Sequence, residues 1–179
     1  VNAAVNTLFN CAQETLVDGM ARERQQYSGD GSHQLHAVIQ TLGDITLPYR
    51  FVNTFSQGLS IDGYFMDSWP AWDRLARTVE RQMHLTGWGP ILDHSIGFCF
   101  DAFHYYMYTG DLQGLKEVYP RLLSFFSYLY KLTDKSEHLV PVENLGMCSV
   151  YIDHEAYKQT KHKQLALNLY IVAMCRNAL

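Results

Sequence analysis

The sequence predicts an all-α protein, and three observations support this fold class. Apolar residues recur at spacings of three and four along most of the chain, which is the pattern of amphipathic helices. Glycines and capping residues stand where these patterns stop. The segments between them are short, which favours antiparallel helical hairpins. Such hairpins build bundles, solenoids and α/α toroids, and periodicity alone does not choose among the three architectures.

The predicted helices follow one another with little intervening sequence. In chain order they cover about residues 5–16, 32–42, 47–59, 68–85, 93–109, 112–132 and 161–178. Two short extended pieces are expected at 138–142 and 149–152.

Local signals define the ends of the first four helices. The first carries an apolar stripe through Leu16 and should end at Asp18 and Gly19. The second should begin near Ser32 and stop at Gly43. The third and fourth predicted helices each have a proline in the first turn. Proline is tolerated there because the backbone N–H that it lacks would have no partner within the helix.

The later helices have equally local signals. Gly110 should terminate the fifth, and Asp111 should cap the sixth. Pro120 is expected to kink or divide that sixth helix. The last helix is expected to bury four apolar residues: Leu165, Leu169, Val172 and Ala173.

Composition excludes several classes of protein. The chain has 179 residues, of which 47% are hydrophobic and 18% charged, so it can form a core and is not disordered. A net charge of −4 leaves no basic surface for nucleic acid. No apolar stretch reaches the roughly 18 residues of a membrane span. Neither cysteine nor histidine spacing indicates a metal, and no cofactor motif is present. Three cysteines lie in helical apolar patterns and are expected to be buried: Cys11, Cys99 and Cys175.

The segment from Asp18 to Asp30 concentrates the candidate chemistry. It places three carboxylates and two arginines within thirteen residues between two predicted helices. A glycoside hydrolase needs one protonated carboxylic acid and a second carboxylate, and neighbouring charges can separate their pKa values. Taken residue by residue, the same pattern also fits a solvated salt-bridge cluster flanked by turn and capping aspartates.

The same segment resembles the acidic motif of the α-L-rhamnosidases of glycoside hydrolase family 78. In that family an Asp precedes an Arg-Glu-Arg-like element, which is followed by an aromatic residue and Gly-Asp. The resemblance implies that Glu23 is the general acid and that Asp18 and Asp30 bind the sugar. Tyr27 stands where many members have a stacking Trp, and Arg22 and Arg24 would orient the carboxylates.

The resemblance continues more loosely along the chain. Asp93 and His94 fall where family members place substrate-facing residues, and Tyr108-Thr-Gly-Asp111 matches a helix-ending element of the family. Asp153 and His154 stand where relatives often carry an Asp-Trp pair. Independently of the resemblance, Trp69 is a candidate for stacking on a sugar.

The resemblance implies an (α/α)6 barrel, a six-hairpin toroid, of which residues 1–179 would form about the N-terminal half. It also implies an inverting mechanism whose general base lies beyond Leu179, with Glu143 and Glu155 as candidates only if the family assignment is wrong. The expected partners are a rhamnose-containing glycoside, the other half of the barrel and accessory β domains of the parent protein. The isolated chain should be inactive. A periplasmic or secreted location would follow only from a signal peptide in the parent.

Two other interpretations stay open on sequence alone. One is a different α/α-toroid enzyme, either another glycosidase or a polysaccharide lyase that uses a Tyr or His base. The other is a helical sugar-binding scaffold without chemistry. Convergence of Asp18, Glu23 and Asp30 in one cleft would favour an enzyme, whereas separated, solvated carboxylates would favour the scaffold.

Overall fold

The computed structural model describes residues 1–21, 24–70, 91–143, 150–152 and 161–178. Six helices run through these residues: α1 Asn2–Cys11, α2 Ser28–Leu42, α3 Thr46–Ser56, α4 Leu92–Thr109, α5 Leu112–Leu132 and α6 Lys163–Asn177. The described residues contain isolated β-bridges but no strand, so the extended piece expected at 138–142 is not observed. Of the piece expected at 149–152, residue 149 lies outside the described residues and 150–152 form no strand. None of the described helices is long and apolar enough to cross a bilayer.

Helix α4 organises the packing, because it contacts α2, α3, α5 and α6. Five phenylalanines meet around it and form the aromatic centre of the core: Phe51, Phe55, Phe65, Phe98 and Phe125. The ring centroids of Phe55 and Phe98 lie 4.7 Å apart, and those of Phe65 and Phe98 lie 4.9 Å apart. Tilted and edge-to-face rings at these distances add to the stabilisation that comes from burying their area.

Glycines end two helices as predicted. Gly43 after α2 and Gly110 after α4 both have φ of 66°, a left-handed conformation that closes a helix at no steric cost. Asp111 caps α5 by accepting a hydrogen bond from the Gly114 N–H at 2.9 Å. Pro120 lies inside α5, which runs without interruption from Leu112 to Leu132. It does not divide that helix.

Two helix boundaries differ from the prediction. Helix α1 ends at Cys11, and the chain then turns so that Ala12 pairs with Leu16. Helix α2 begins at Ser28, four residues earlier than expected. The predicted helix at 68–85 falls mostly outside the described residues.

The prediction for the buried face of α6 is wrong. Leu167 and Met174 point into the core, whereas Leu165 and Leu169 are 70% and 61% exposed and Val172 is also exposed. Apolar residues surround this helix, so their spacing does not identify one inward face. Cys175, at its end, is exposed rather than buried; Cys11 and Cys99 are buried as predicted.

Candidate functional site

A reciprocal pair of hydrogen bonds closes the acidic loop. The backbone N–H of Asp18 donates to the Gln25 carbonyl at 2.9 Å, and the Asp18 Oδ1 accepts from the Gln25 N–H at 2.8 Å. Gln25 is buried, so this pair anchors the loop to the protein interior. Arg22 and Glu23 fall between the two paired residues in the sequence and lie outside the described residues.

Arg24 shapes the same loop from its outer side. Its φ of 55° is left-handed, and its side-chain Nε donates to the Met20 carbonyl at 2.7 Å. The Arg24 guanidinium is therefore bound to a backbone carbonyl of the loop. The resemblance implied instead that Arg24 orients the carboxylates.

Gln26 joins the loop to the segment that contains Trp69. The side-chain NH₂ of Gln26 donates to the Trp69 backbone carbonyl at 2.6 Å and to the Thr54 hydroxyl at 3.1 Å. The backbone carbonyl of Gln26 accepts from the Trp69 N–H at 3.1 Å. The Trp69 side chain is half-buried, packs against the core and lies directly over Gly58, where a Cβ would overlap it. Much of the Trp69 side chain is therefore engaged in packing.

The beginnings of α2 and α4 meet beside this loop. Tyr27 is the residue before α2, and the Ser28 hydroxyl donates to the His94 carbonyl at 3.0 Å. A Cβ on Gly29 would lie 2.8 Å from the His94 ring carbon Cε1, so only glycine lets the ring lie this close to α2. The contact fixes His94 next to the start of the helix that carries Asp30.

Asp30 and Asp18 are close enough to influence each other. Asp30 keeps an exposed surface, yet protein atoms on its other sides remove water from the carboxyl. Partial desolvation and then the Asp18 carboxylate raise the pKa of Asp30, whereas His94, the helix backbone and His33 lower it. The side-chain amide of Gln34 on α2 also donates to the Val17 carbonyl at 2.8 Å, so the chain next to Asp18 is bound to the helix that carries Asp30. The two predicted sugar-binding carboxylates therefore lie in the same region.

Desolvation lowers the pKa of His94 and outweighs the opposite effects of Asp93 and Asp30. Its Nδ1 is buried without a hydrogen-bond partner among the described residues, and its ring centroid lies 5.5 Å from that of Tyr151.

Asp93 is buried at the start of α4, where its Oδ1 accepts a hydrogen bond from the Tyr151 N–H at 2.7 Å. Desolvation raises the pKa of Asp93, and the Tyr151 N–H, His94 and Lys163 partly offset this effect. The carboxylate is therefore engaged with protein groups.

Five predicted site residues lie in one region: Asp18, Tyr27, Asp30, Asp93 and His94. Asp153 and His154 lie outside the described residues, as do Arg22 and Glu23. Sequence reasoning missed the buried Gln25 and Gln26, as well as Tyr151. Adjacent glutamines in a charged loop were a weak signal, since nothing local indicates that glutamine will be buried. No group of three His, Cys, Asp or Glu residues suited to a metal ion occurs among the residues that the structure describes.

Two further carboxyls are buried outside this region. Asp101 on α4 is inaccessible to solvent, and burial raises its pKa to about 8. Ser32 lowers that pKa in part, although neither carboxyl oxygen of Asp101 has a hydrogen-bond partner among the described residues. Burial likewise raises the pKa of Asp67 to about 6, against the effect of its hydrogen bond from the Ser68 N–H.

A similar arrangement of helices occurs in the solved structure of an enzyme. The chain superimposes on a rhamnosidase from Klebsiella oxytoca with rhamnose bound, with a TM-score of 0.70 and 23% identity. The match covers 99% of this chain and 32% of the rhamnosidase. The chain has the fold of a rhamnosidase segment.

The predicted fold class is therefore confirmed: the chain is helical and forms part of an α/α toroid. It spans about a third of the length of that rhamnosidase. No protein-family model matches the sequence. No curated protein matches it either.

Proposed function

We propose that the chain belongs to the catalytic domain of an inverting glycoside hydrolase that removes terminal α-L-rhamnosyl residues, with Glu23 as the general acid. In this proposal residues 1–179 supply about the N-terminal half of the barrel. The remaining chain of the parent protein supplies the other half and the general base. The 32% coverage of the rhamnosidase supports this division of the domain.

The observation that carries the proposal is the convergence of Asp18 and Asp30 beside the closed loop. Asp18 raises the pKa of Asp30, so the two carboxyls share one electrostatic environment. Separated and fully solvated carboxylates would have favoured a scaffold. A group of acidic oxygens is suited to accepting hydrogen bonds from sugar hydroxyls and to stabilising the positive charge that develops on the ring.

The paired Asp18 and Gln25 support the assignment of Glu23. Glu23 belongs in sequence to the loop whose ends Asp18 and Gln25 join. A general acid must keep its proton until it donates it, and neighbouring anions raise the pKa of a carboxylic acid, so an acidic loop suits the role proposed for Glu23. It would protonate the glycosidic oxygen as the bond to the sugar breaks. The base would activate water on the opposite face, with the carboxyls roughly 6.5–9.5 Å apart.

The charge of the site argues against a polysaccharide lyase. A lyase acts on a uronate, whose carboxylate would be repelled by Asp18, Asp30 and Asp93. His94 and Tyr151 lie together, as a lyase base requires, but the carboxyls of Asp18, Asp30 and Asp93 lie in the same region. A neutral sugar suits this environment better.

The experiment is hydrolysis of two α-L-rhamnosides by the full-length parent protein, wild type and Glu23→Gln. One substrate has an unactivated alcohol as leaving group, and the other has an activated phenol. Loss of acid assistance should slow the first by about 10²–10⁴-fold and the second much less. Equal activity of the variant on both substrates would refute the assignment of Glu23.

Glu14→Gln is the matched control. Glu14 lies in the preceding turn and is exposed, so the same change of charge should leave both rates unchanged. Absence of activity in the wild type would refute the proposed substrate. The 179-residue chain by itself should show no hydrolysis, and turnover comparable with the parent would overturn the placement of the base outside it.

A further inference from the structure

One peptide unit near the site is held from both sides by buried, oppositely charged side chains. The N–H of Tyr151 donates to Asp93 Oδ1 at 2.7 Å. The carbonyl of Val150, in the same peptide unit, accepts from Lys163 Nζ at 3.1 Å. Asp93 lies in the first turn of α4 and Lys163 is the first residue of α6, so two helices hold one short segment. We call these two side chains the clamp.

Both side chains of the clamp are buried. Lys163 is 2% exposed and Asp93 is 8% exposed. Removing two charges from water is costly unless each compensates the other and both make hydrogen bonds. Lys163 lowers the pKa of Asp93, which indicates that the charges are close. Here the bonds are directed at a single backbone unit, so the clamp fixes the position of whatever that unit carries.

The unit carries Tyr151, which is half-buried and therefore keeps part of its surface accessible. Its ring lies against His94 at 5.5 Å between centroids, with an angle of 54° between the ring planes. His94 in turn packs on Gly29, next to Asp30. A continuous row of contacts thus leads from the clamp to the carboxylates of the site.

We propose that Tyr151 is a sugar-contacting residue of this site and that Asp93 and Lys163 are positioning residues that hold it there. The inference rests on the proposed function. An aromatic ring beside acidic groups offers a flat apolar surface for the carbon face of a sugar, while the carboxylates take its hydroxyls. Asp93 acts through Tyr151, because the carboxyl is buried and its Oδ1 accepts the hydrogen bond of the Tyr151 N–H.

The test is a double-mutant cycle in the full-length parent, with Tyr151→Ala and Lys163→Met singly and together. The readouts are Kd for L-rhamnose by calorimetry, and kcat and KM for an α-L-rhamnoside. Each single variant should weaken binding about tenfold, a size typical of coupled neighbours. The effect should be on Kd and KM, with kcat little changed. The double variant should be no weaker than Tyr151→Ala, because Lys163 would have nothing left to position.

Lys161→Met is the matched control. Lys161 lies two residues before Lys163, but it is exposed and forms a surface ion pair with Glu137 at 3.0 Å. Such pairs contribute little, so binding should not change. If Lys163→Met fails to fold because Asp93 is left uncompensated, Asp93→Asn with Lys163→Met removes both charges and keeps an oxygen for the Tyr151 N–H. It should also bind more weakly than wild type and lose that difference in the Tyr151→Ala background.

Additive effects of Tyr151→Ala and Lys163→Met would overturn the clamp, and unchanged binding in Tyr151→Ala would overturn the sugar contact. A wild-type protein that neither binds nor hydrolyses the rhamnose compounds would refute the proposed function, and this inference would fall with it. The two failures are therefore distinguishable by the wild type alone.

Discussion

Asp101→Asn should change how the stability of the protein depends on pH. In the folded chain Asp101 is fully buried with a pKa of about 8, whereas an unfolded aspartate has a pKa of about 3.9. Between these values the folded state keeps the proton and the unfolded state releases it. The contribution of Asp101 is therefore fully present below about pH 4 and is lost as pH rises through about 8. Asparagine has the same shape and does not titrate.

The magnitude follows from linkage. One proton held only by the folded state costs about 1.4 kcal/mol of stability for each pH unit. Between pH 6.5 and 8 the slope declines as Asp101 itself begins to ionise, so the change amounts to about 1.5 kcal/mol. For a chain of this length that change corresponds to a shift in Tm of about 3–6 °C.

The assay is thermal unfolding followed by circular dichroism from pH 5 to pH 8.5. The quantity of interest is the difference in Tm between Asp101→Asn and wild type, because histidines and other shared groups cancel in that difference. It should rise in favour of the variant up to about pH 8. Asp67→Asn is the control, since the pKa of Asp67 of about 6 confines its effect to lower pH. A difference in Tm that stays constant from pH 6.5 to 8 would refute the buried, protonated state of Asp101.

Three other substitutions test the packing and the surface. Gly31→Ala should lower stability by about 1–3 kcal/mol in chemical denaturation, because a Cβ there would overlap the Phe51 ring; Gly19→Ala, in open space, should be nearly neutral. Asp111→Ala should lower Tm by a few degrees through loss of the α5 cap, and Asp111→Asn should retain most of it. Leu169→Gln should change stability by less than about 0.5 kcal/mol in chemical denaturation, since this leucine is exposed. These interpretations would be contradicted by unchanged stability in Gly31→Ala, by an unchanged Tm in Asp111→Ala, or by a Leu169→Gln variant that is unfolded.

Helix ends were predictable where one residue decides them. Gly43 and Gly110 take the left-handed conformation that glycine alone adopts without cost, so the sequence identifies both ends. The end of α1 is different: Leu16 continues the helical spacing and is buried, but it reaches the core from a turn. Spacing indicates which residues are buried and does not specify the backbone that buries them.

The resemblance names Asp18 and Asp30 as sugar-binding carboxylates, which stays a prediction, and it gives no sign of the residues that hold the surrounding backbone. The Gln26 side chain donates to the backbone carbonyl of Trp69, which is 43 residues later. Lys163, on α6, donates to the backbone carbonyl of Val150, which precedes that helix. Neither glutamine nor lysine is ordinarily buried, so their chemistry gives no advance sign of such a role. Only the tertiary structure reveals that these side chains complete the hydrogen bonds of a distant backbone.

The two hydrogen bonds between Asp18 and Gln25 have a consequence for the affinity with which the proposed site binds a ligand. A loop with free ends would lose conformational entropy each time it ordered around a ligand, and that loss would weaken affinity. Here hydrogen bonds of 2.8 and 2.9 Å join Asp18 to Gln25, so folding already holds the two ends of the loop together. Lengthening the segment between Asp18 and Gln25 should therefore leave the fold intact while it weakens association. This makes the loop a suitable position at which to adjust affinity without altering the helices.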